Sequence, residues 1–208
     1  MDGERHMVDE LKKGSESALQ ALMKQYGNAV MRTAALLLKD GHLAQDVSQE
    51  VFLKAYERIG QYRGEGSLRA WLLQITVNQC RGRMRRASWK RLLFRSFTDE
   101  RKPDEAVESG NGLSDSQAAL EPGSPRQIRE LSLRQEIGKL ELAYREVVVL
   151  YYYDELSVKE IADVLQLSEP NVKSRLHRAR QALKVQLEEG GWSDEYGTGR
   201  TAGSAEEA

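Results

Sequence analysis

Apolar residues recur at three- and four-residue intervals along most of the chain, and nowhere do they alternate with polar ones over a strand's length. A first helix is predicted over about Glu16 to Lys39, with Leu19, Leu22, Tyr26, Val30 and Met31 inward and Gly41 closing it. A second covers about Leu43 to Ile59, striped by Leu43, Val47, Val51, Ala55 and Ile59. After the turn GQYRGEGS, a third runs from about Ser67, a fitting N-cap, to Arg86 or beyond. The period then lapses in TDERKPDEAVESGNGLSDSQAALEPGSP, whose Gly, Ser, Pro and acid mark a flexible linker. Helical spacing resumes near Pro125, over about Gln127 to Lys139 and Tyr144 to Tyr152. The closing GGWSDEYGTGRTAGSAEEA offers little to bury and is expected to be mobile.

Between the last of these helices and the tail lies LSVKEIADVLQLSEPNVKSRLHRARQAL. A short helix from Val158 to Leu165 carries small Ala162 between Ile161 and Leu165; the turn QLS follows; Ser168 or Glu169 caps a longer helix with Pro170 in its first turn. The pattern predicts a helix-turn-helix, whose second helix enters a DNA major groove. Gln166 stands where such turns commonly place glycine, at a cost of ~1 kcal/mol if the residue is left-handed. Val172, Leu176, Ala179, Leu183 and Leu187 form the apolar back of the second helix. Ser174, His177, Arg178 and Gln181 fall roughly opposite, flanked by Lys173 and Lys184.

Composition narrows the class. With 208 residues, 40% hydrophobic and 30% charged, the chain suits one ordinary domain or two small ones. Its longest apolar runs, AALLL and VVVLYYY, fall far short of the ~20 residues that span a bilayer, and MDGERHMVDELKKG is too charged for a signal peptide. A lone cysteine, Cys80, fits a reducing cytoplasm and no structural zinc site. The net charge of -1 hides a segregated layout. RGRMRRASWKRLLFR, Arg81 to Arg95, holds seven bases and no acid, whereas Asp99 to Glu121 holds seven acids against Arg101 and Lys102.

Two further patterns carry chemistry. Trp71, Gln74, Asn78, Arg81 and Arg85 share one face of the third helix: an aromatic ring, two amides, then guanidinium groups. That series suits melted DNA, where stacking is worth ~1–3 kcal/mol per base and cations hold the backbone. Trp71 alone fits a core position equally well; Asn78, mid-helix among apolar neighbours, fits one poorly. On the second helix Asp46 and Glu50 are like charges at i, i+4, which a basic partner would explain, as would a solvated face with Lys54 offsetting Glu50. His177 reads as a contact or spacer, since His6 and His42 have no ligand partners at useful spacing.

LAQDVSQEVFLKAYERIGQYRGEGSLRAWLLQITVNQCRGRMRR resembles region 2 of bacterial sigma factors of the sigma-70 family, and LELAYREVVVLYYYDELSVKEIADVLQLSEPNVKSRLHRARQAL resembles their region 4. With both in order and no third domain between them, the similarity is to the extracytoplasmic-function (ECF, group 4) sigma factors. The resemblance implies an all-α chain of two small helical domains: a region 2 bundle over 10–95, a flexible acidic linker over 96–125, a region 4 helix-turn-helix over 126–188, and a disordered tail over 189–208. It implies core RNA polymerase (clamp coiled coil and flap), promoter DNA and an anti-sigma factor as partners, and with polymerase as the partner the linker's five-unit acid excess between two basic segments is expected to occupy the channel that later holds template and RNA. No cofactor, metal, catalytic residue or membrane insertion is implied, and the location is cytoplasmic.

Residue by residue, the resemblance assigns Tyr62 to an aromatic beside the opened -10 strand and Asn78 to the pocket for a flipped base. Trp71, Gln74, Arg81 and Arg85 complete that face, while Lys173, Ser174, His177, Arg178 and Gln181 approach the -35 duplex. Asp46, Gln49 and Glu50 dock on polymerase. Leu73 departs from the family, which often has another aromatic there. Each phosphate neutralised adds ~0.9 to the salt slope, and two weak modules become one selective reader when polymerase fixes their separation. Free protein is thus expected to bind promoter DNA poorly. A stand-alone helix-turn-helix activator and a nucleic-acid enzyme remain the alternative readings; the first leaves the Trp71 to Arg85 face unexplained, and the second lacks an acidic metal cluster or an activated nucleophile.

Overall fold

The computed structural model describes residues 2–64, 66–97 and 125–189, in which helices and short connections account for every residue and no strand occurs. The acidic linker, its expected channel role and the C-terminal tail fall essentially outside the described residues.

Ahead of the helices expected above stands α1 (Asp2–Lys12), in which Val8 and Leu11 are buried at helical spacing. Its Glu4 carboxylate accepts from the backbone N–H of Leu68 at 2.8 Å, so α1 satisfies an orphan donor at the start of a helix far along the chain. Gly14 makes the turn that follows with φ of 83°. Ser15 caps α2 (Glu16–Leu38), accepting from Ala18 N at 3.3 Å.

The α2 to α3 junction differs from expectation. Lys39, not Gly41, is the left-handed residue ending α2, with φ of 60°, and Asp40 then captures Leu43 N at 3.0 Å. Gly41 accordingly opens α3 (Gly41–Arg58) rather than closing α2. The shift turns Leu43 outward, 37% exposed, and puts Ala44 inward beside Val47, Val51 and Ala55. Ile59, also buried, starts a single 3-10 turn (Ile59–Gln61). Ser67 then accepts from Ala70 N at 3.1 Å, opening α4 (Leu68–Phe97).

Helices α2, α3 and α4 pack on one another and bury Leu22, Val30, Leu37, Val47, Val51, Leu72, Leu73 and Val77. At roughly 1.5–3 kcal/mol for each large aliphatic side chain, this apolar set fixes α4 as a rigid support.

The second module comprises α5 (Pro125–Lys139), α6 (Leu142–Val148), α7 (Val158–Leu165) and α8 (Glu169–Glu189). The helix expected over Tyr144 to Tyr152 starts two residues earlier and widens into a π turn at Val149–Tyr153, closed by Asp154 N donating to Val149 O at 3.1 Å. Helix α7 has the expected bounds because its signals are local. Ser157 accepts from Glu160 N while Glu160 accepts from Ser157 N, a complete capping box. At its other end Gln166 is left-handed, φ 56°, and Leu167 N reaches Ala162 O at 2.9 Å, a Schellman closure made without glycine.

Buried polar groups join the two modules. Asp154, fully buried at the end of the π turn, accepts from Thr33 Oγ1 at 2.7 Å and pairs with Arg32 at 3.2 Å and Arg69 at 3.4 Å. Burial pushes its carboxyl above the usual aspartate range, against the pull of Thr33 and Arg32. Arg145 donates to the carbonyls of Leu37, Gly138 and Leu140 at 2.8, 2.8 and 2.7 Å, binding the C-terminal ends of α2 and α5 together.

Candidate nucleic-acid interface

Helix α4 carries one face of the site. Its inner positions Leu72, Leu73, Thr76, Val77 and Cys80 are buried, which rotates Trp71, Gln74, Asn78, Arg81 and Arg85 to one side. Trp71 is half-buried against the core and tilted on Tyr62, ring centroids 5.5 Å apart, so part of its ring stays accessible. Tyr62 is held in turn by donating its hydroxyl to Gly66 O at 2.7 Å, and burial together with the nearby Glu4 raises its pKa. Asn78 and Arg85 are exposed. Leu73, where an aromatic was noted as missing, is fully buried and cannot face a ligand in this conformation.

Gln74 and Arg81 are already engaged, and by the second module. Gln74 Nε2 donates to Asp163 O on α7 at 3.2 Å. Arg81 makes a two-pronged pair with Glu146 on α6, Nε to Oε1 at 2.6 Å and a terminal nitrogen to Oε2 at 2.7 Å. The Glu146 hydrogen bond holds the Arg81 guanidinium pKa above its ordinary value. The α4 face therefore looks into two clefts. One runs from Tyr62, Trp71 and Gln74 to Glu160 and Gln166; the other runs from Asn78 and Arg85 to Ala143 and Arg175.

Helix α8 carries the second face. Val172, Leu176 and Ala179 are buried, and Lys173, Ser174, His177, Arg178 and Gln181 are all exposed with no polar partner among the described residues. The helix's other charges have different duties. Arg175 turns to the cleft with α4; Arg180 donates to the Tyr152 hydroxyl at 2.8 Å and lies over the Tyr151 ring; Lys184 pairs with Glu188 at 3.6 Å. Only part of the positive charge in NVKSRLHRARQALK is free for a duplex.

The third predicted set lies on α3, apart from both. Asp46 and Gln49 are exposed beside Leu53, itself 60% exposed, an apolar neighbour that the charge pattern did not flag. Glu50 is paired with Arg83 of α4, while Lys54 donates to Gln79 Oε1 at 2.7 Å. The offset of Glu50 thus comes from another helix and not from Lys54.

Sequence reasoning missed Glu146, Arg145 and Asp154. Their signal was present: REVVVLYYYD sets three charges at the edges of an apolar run, where they must be buried and so must be partnered. No group of three or more metal-ligating side chains occurs among the described residues, and no helix there is long and apolar enough to cross a membrane.

Comparison with known proteins agrees with this division. The family model described as sigma-70 region 2 matches residues 22–90, and that described as sigma-70, region 4 matches residues 130–183. The ECF RNA polymerase sigma factor SigW of Bacillus subtilis is 30% identical over 190 residues, covering 86% of this chain and 94% of its own. The ECF RNA polymerase sigma factor SigM of the same organism is 33% identical over 171 residues, covering 80% and 93%. Among solved structures, the sigma factor RpoE of Bartonella quintana, crystallised with the anti-sigma factor NepR, superposes with a TM-score of 0.62 at 20% identity over 81% of this chain and 96% of that one, a likeness of fold. The two matched regions in order, borne on an all-helical two-module fold, make this chain a member of the sigma-70 family in its extracytoplasmic-function group, a sigma factor that directs promoter-specific transcription.

Proposed function

We propose that the chain, mounted on core RNA polymerase, reads the -35 duplex with Lys173, Ser174, His177, Arg178 and Gln181 and the melted -10 strand with Tyr62, Trp71, Gln74, Asn78, Arg81 and Arg85. The observation that carries the reading is the α8 face, where every one of the five candidate side chains is exposed and none has a partner among the described residues. A surface of donors and cations on a helix backed by buried Val172, Leu176 and Ala179 matches the way a recognition helix enters a major groove. Asp46, Gln49 and Glu50 form the polymerase-docking face, with residues 10–95 and 126–188 as the two working domains. The chain acts in the cytoplasm and catalyses nothing itself. An anti-sigma factor is a further partner, a reading supported by the likeness to a sigma factor solved with one.

The test is run-off transcription by core polymerase reconstituted with the chain on a randomised promoter library. Arg178→Ala is expected to lower initiation at the selected promoters roughly 5- to 150-fold, the equivalent of ~1–3 kcal/mol for a lost base contact, and to relax preference in the upstream element. Asn78→Ala is expected to relax preference in the downstream element. Unchanged output and unchanged preference in both variants would overturn the reading.

A further inference from the structure

We propose that the cleft lined by α4, α6 and α8 binds a nucleoside polyphosphate. It measures about 990 Å³, at the upper end of the ~300–1,000 Å³ usual for small-molecule sites. Its α4 wall is a ladder, because Asn78, Arg81, Arg85 and Ser88 follow one another at three- and four-residue spacing and so share one helix face. Arg175 of α8 lines the same cleft. It is only partly exposed, and neither it nor Arg85 has an ion-pair partner among the described residues. A cation partly withdrawn from water with no counter-charge carries a desolvation cost that an anion in the cleft offsets. The one carboxylate among the cleft's described residues, Glu146, does not oppose this, since both its oxygens are taken by Arg81 and it is almost fully buried. Three arginines against one carboxylate leave the cleft two positive charges in excess.

Charge selects the head group and the walls select the rest of the ligand. Two unpaired guanidinium groups on different helices suit a polyphosphate better than a single phosphate or carboxylate, because each can take its own phosphoryl group through paired N–H donors. Ser88, three residues beyond Arg85, adds a hydroxyl donor. An inorganic polyphosphate would need nothing more. The same cleft, however, has an apolar flank in Met84 and Leu142, both packed against the core, which suits a flat heterocycle. Asn78, exposed at the far end of the ladder, brings an amide whose donor and acceptor match the edge of a base. Asn78, Arg81 and Arg85 also belong to the proposed strand-reading face, so a bound nucleotide and a single strand exclude one another there. That exclusion rests on the reading of α4 as the strand reader; the nucleotide site itself rests only on the cleft.

The test is isothermal titration calorimetry of the full chain with each of the four ribonucleoside triphosphates, beside inorganic tripolyphosphate, at fixed low salt. At least one of the four is expected to saturate a single site and to bind about tenfold or more tighter than tripolyphosphate, the margin supplied by burying the base against Met84 and Leu142. Heat from none of the four overturns the proposal. So does equal affinity for tripolyphosphate, which marks a cationic surface that takes any polyanion. Arg175→Gln removes the charge from the α8 wall, and nucleotide affinity is expected to fall about tenfold or more. Arg85→Gln, at an exposed position that the fold tolerates, is the second variant, with the same expectation. Binding at parental strength in either variant, at parental helicity, places the nucleotide elsewhere and overturns the site; if Arg175→Gln fails to fold, Arg85→Gln and the ligand comparison on the parent decide. Failure here leaves the promoter reading standing, because that reading is judged by initiation from assembled polymerase in Asn78→Ala and Arg178→Ala.

Discussion

Arg145→Met should be among the most damaging single substitutions outside the apolar core. The guanidinium is 7% exposed and meets three carbonyls, Leu37 O, Gly138 O and Leu140 O, at 2.8 Å or less. These carbonyls lie at the C-terminal ends of α2 and α5, where helix dipoles converge and no intrahelical donor remains. Burial opposes the charge and lowers the arginine's pKa, so part of the interaction offsets desolvation. Methionine restores the volume but not the donors. Each buried acceptor left bare costs about 1–3 kcal/mol, reduced where water can enter the vacated corner, so the loss is expected to be about 3–5 kcal/mol. Against a domain stability of about 5–15 kcal/mol, that is a large fraction. Urea unfolding of a Trp192→Phe background followed by both far-ultraviolet circular dichroism and tryptophan fluorescence is the assay, since the remaining Trp71 and Trp89 lie on α4 and ellipticity reports both modules. The midpoint should fall and the two probes should separate, the second module melting first. A loss below about 1 kcal/mol, with the probes still coincident, would show that the three carbonyls are satisfied without Arg145 and would refute the argument.

Other substitutions test the local devices. Ser157→Ala removes the capping box at α7 and should cost about 1 kcal/mol by urea unfolding, and a loss under a few tenths would mean that the cap is idle. Gln166→Val forces a β-branched residue into φ of 56° and should cost about 1–2 kcal/mol, whereas Gln166→Gly should change stability by less than about 0.5 kcal/mol, relief of strain being offset by the freer unfolded chain; equal effects would contradict the left-handed assignment. Because burial raises the Asp154 carboxyl pKa, the folded chain binds that proton more tightly than the unfolded chain. Stability owed to this group is therefore greatest at low pH and declines as pH rises from the ordinary aspartate value of about 3.9 through the raised one. Asp154→Asn should flatten that slope in pH-dependent unfolding, and an unchanged profile would argue that Arg32, Arg69 and Thr33 fully compensate the burial.

What was legible in the sequence follows from how far each signal reaches. Helix α7 was bounded to the residue because Ile161, Ala162, Leu165 and the turn QLS all act within two turns, and the Ser157–Glu160 capping box found in the structure is an equally local signal. The α8 face was legible for the same reason, as three buried residues at helical spacing fix where the other side chains point. Gly41 misled because two signals competed: a glycine favours ending a helix, but an aspartate before it can capture the next helix's first turn, and Lys39 bore the left-handed strain. The pairing of Glu50 with Arg83 and of Arg81 with Glu146 joins residues 33 and 65 positions apart, beyond any helical repeat. Helix α1 does carry a short apolar stripe, Met7, Val8 and Leu11, but the surrounding charges of MDGERHMVDELKKG hid it, and Glu4 reaching Leu68 N, 64 residues away, was beyond any local signal.

Two kinds of contact hold this fold, and they differ in how far they specify geometry. Within the first module the helices meet through aliphatic side chains, whose burial is non-directional and hard to exchange for anything in water. One apolar cluster includes buried residues of both modules, and between the modules carboxylates, guanidinium groups, an amide and a hydroxyl add directional contacts to it. Buried ion pairs contribute little net stability compared with a well-packed apolar contact of the same size, yet breaking one by removing a single partner is costly. The polar contacts therefore specify how the modules meet, while the shared apolar cluster supplies the burial that holds them. The charges flanking VVVLYYY, namely Arg145, Glu146 and Asp154, are thus where the orientation of the two modules is set, with the helix cores on either side left rigid.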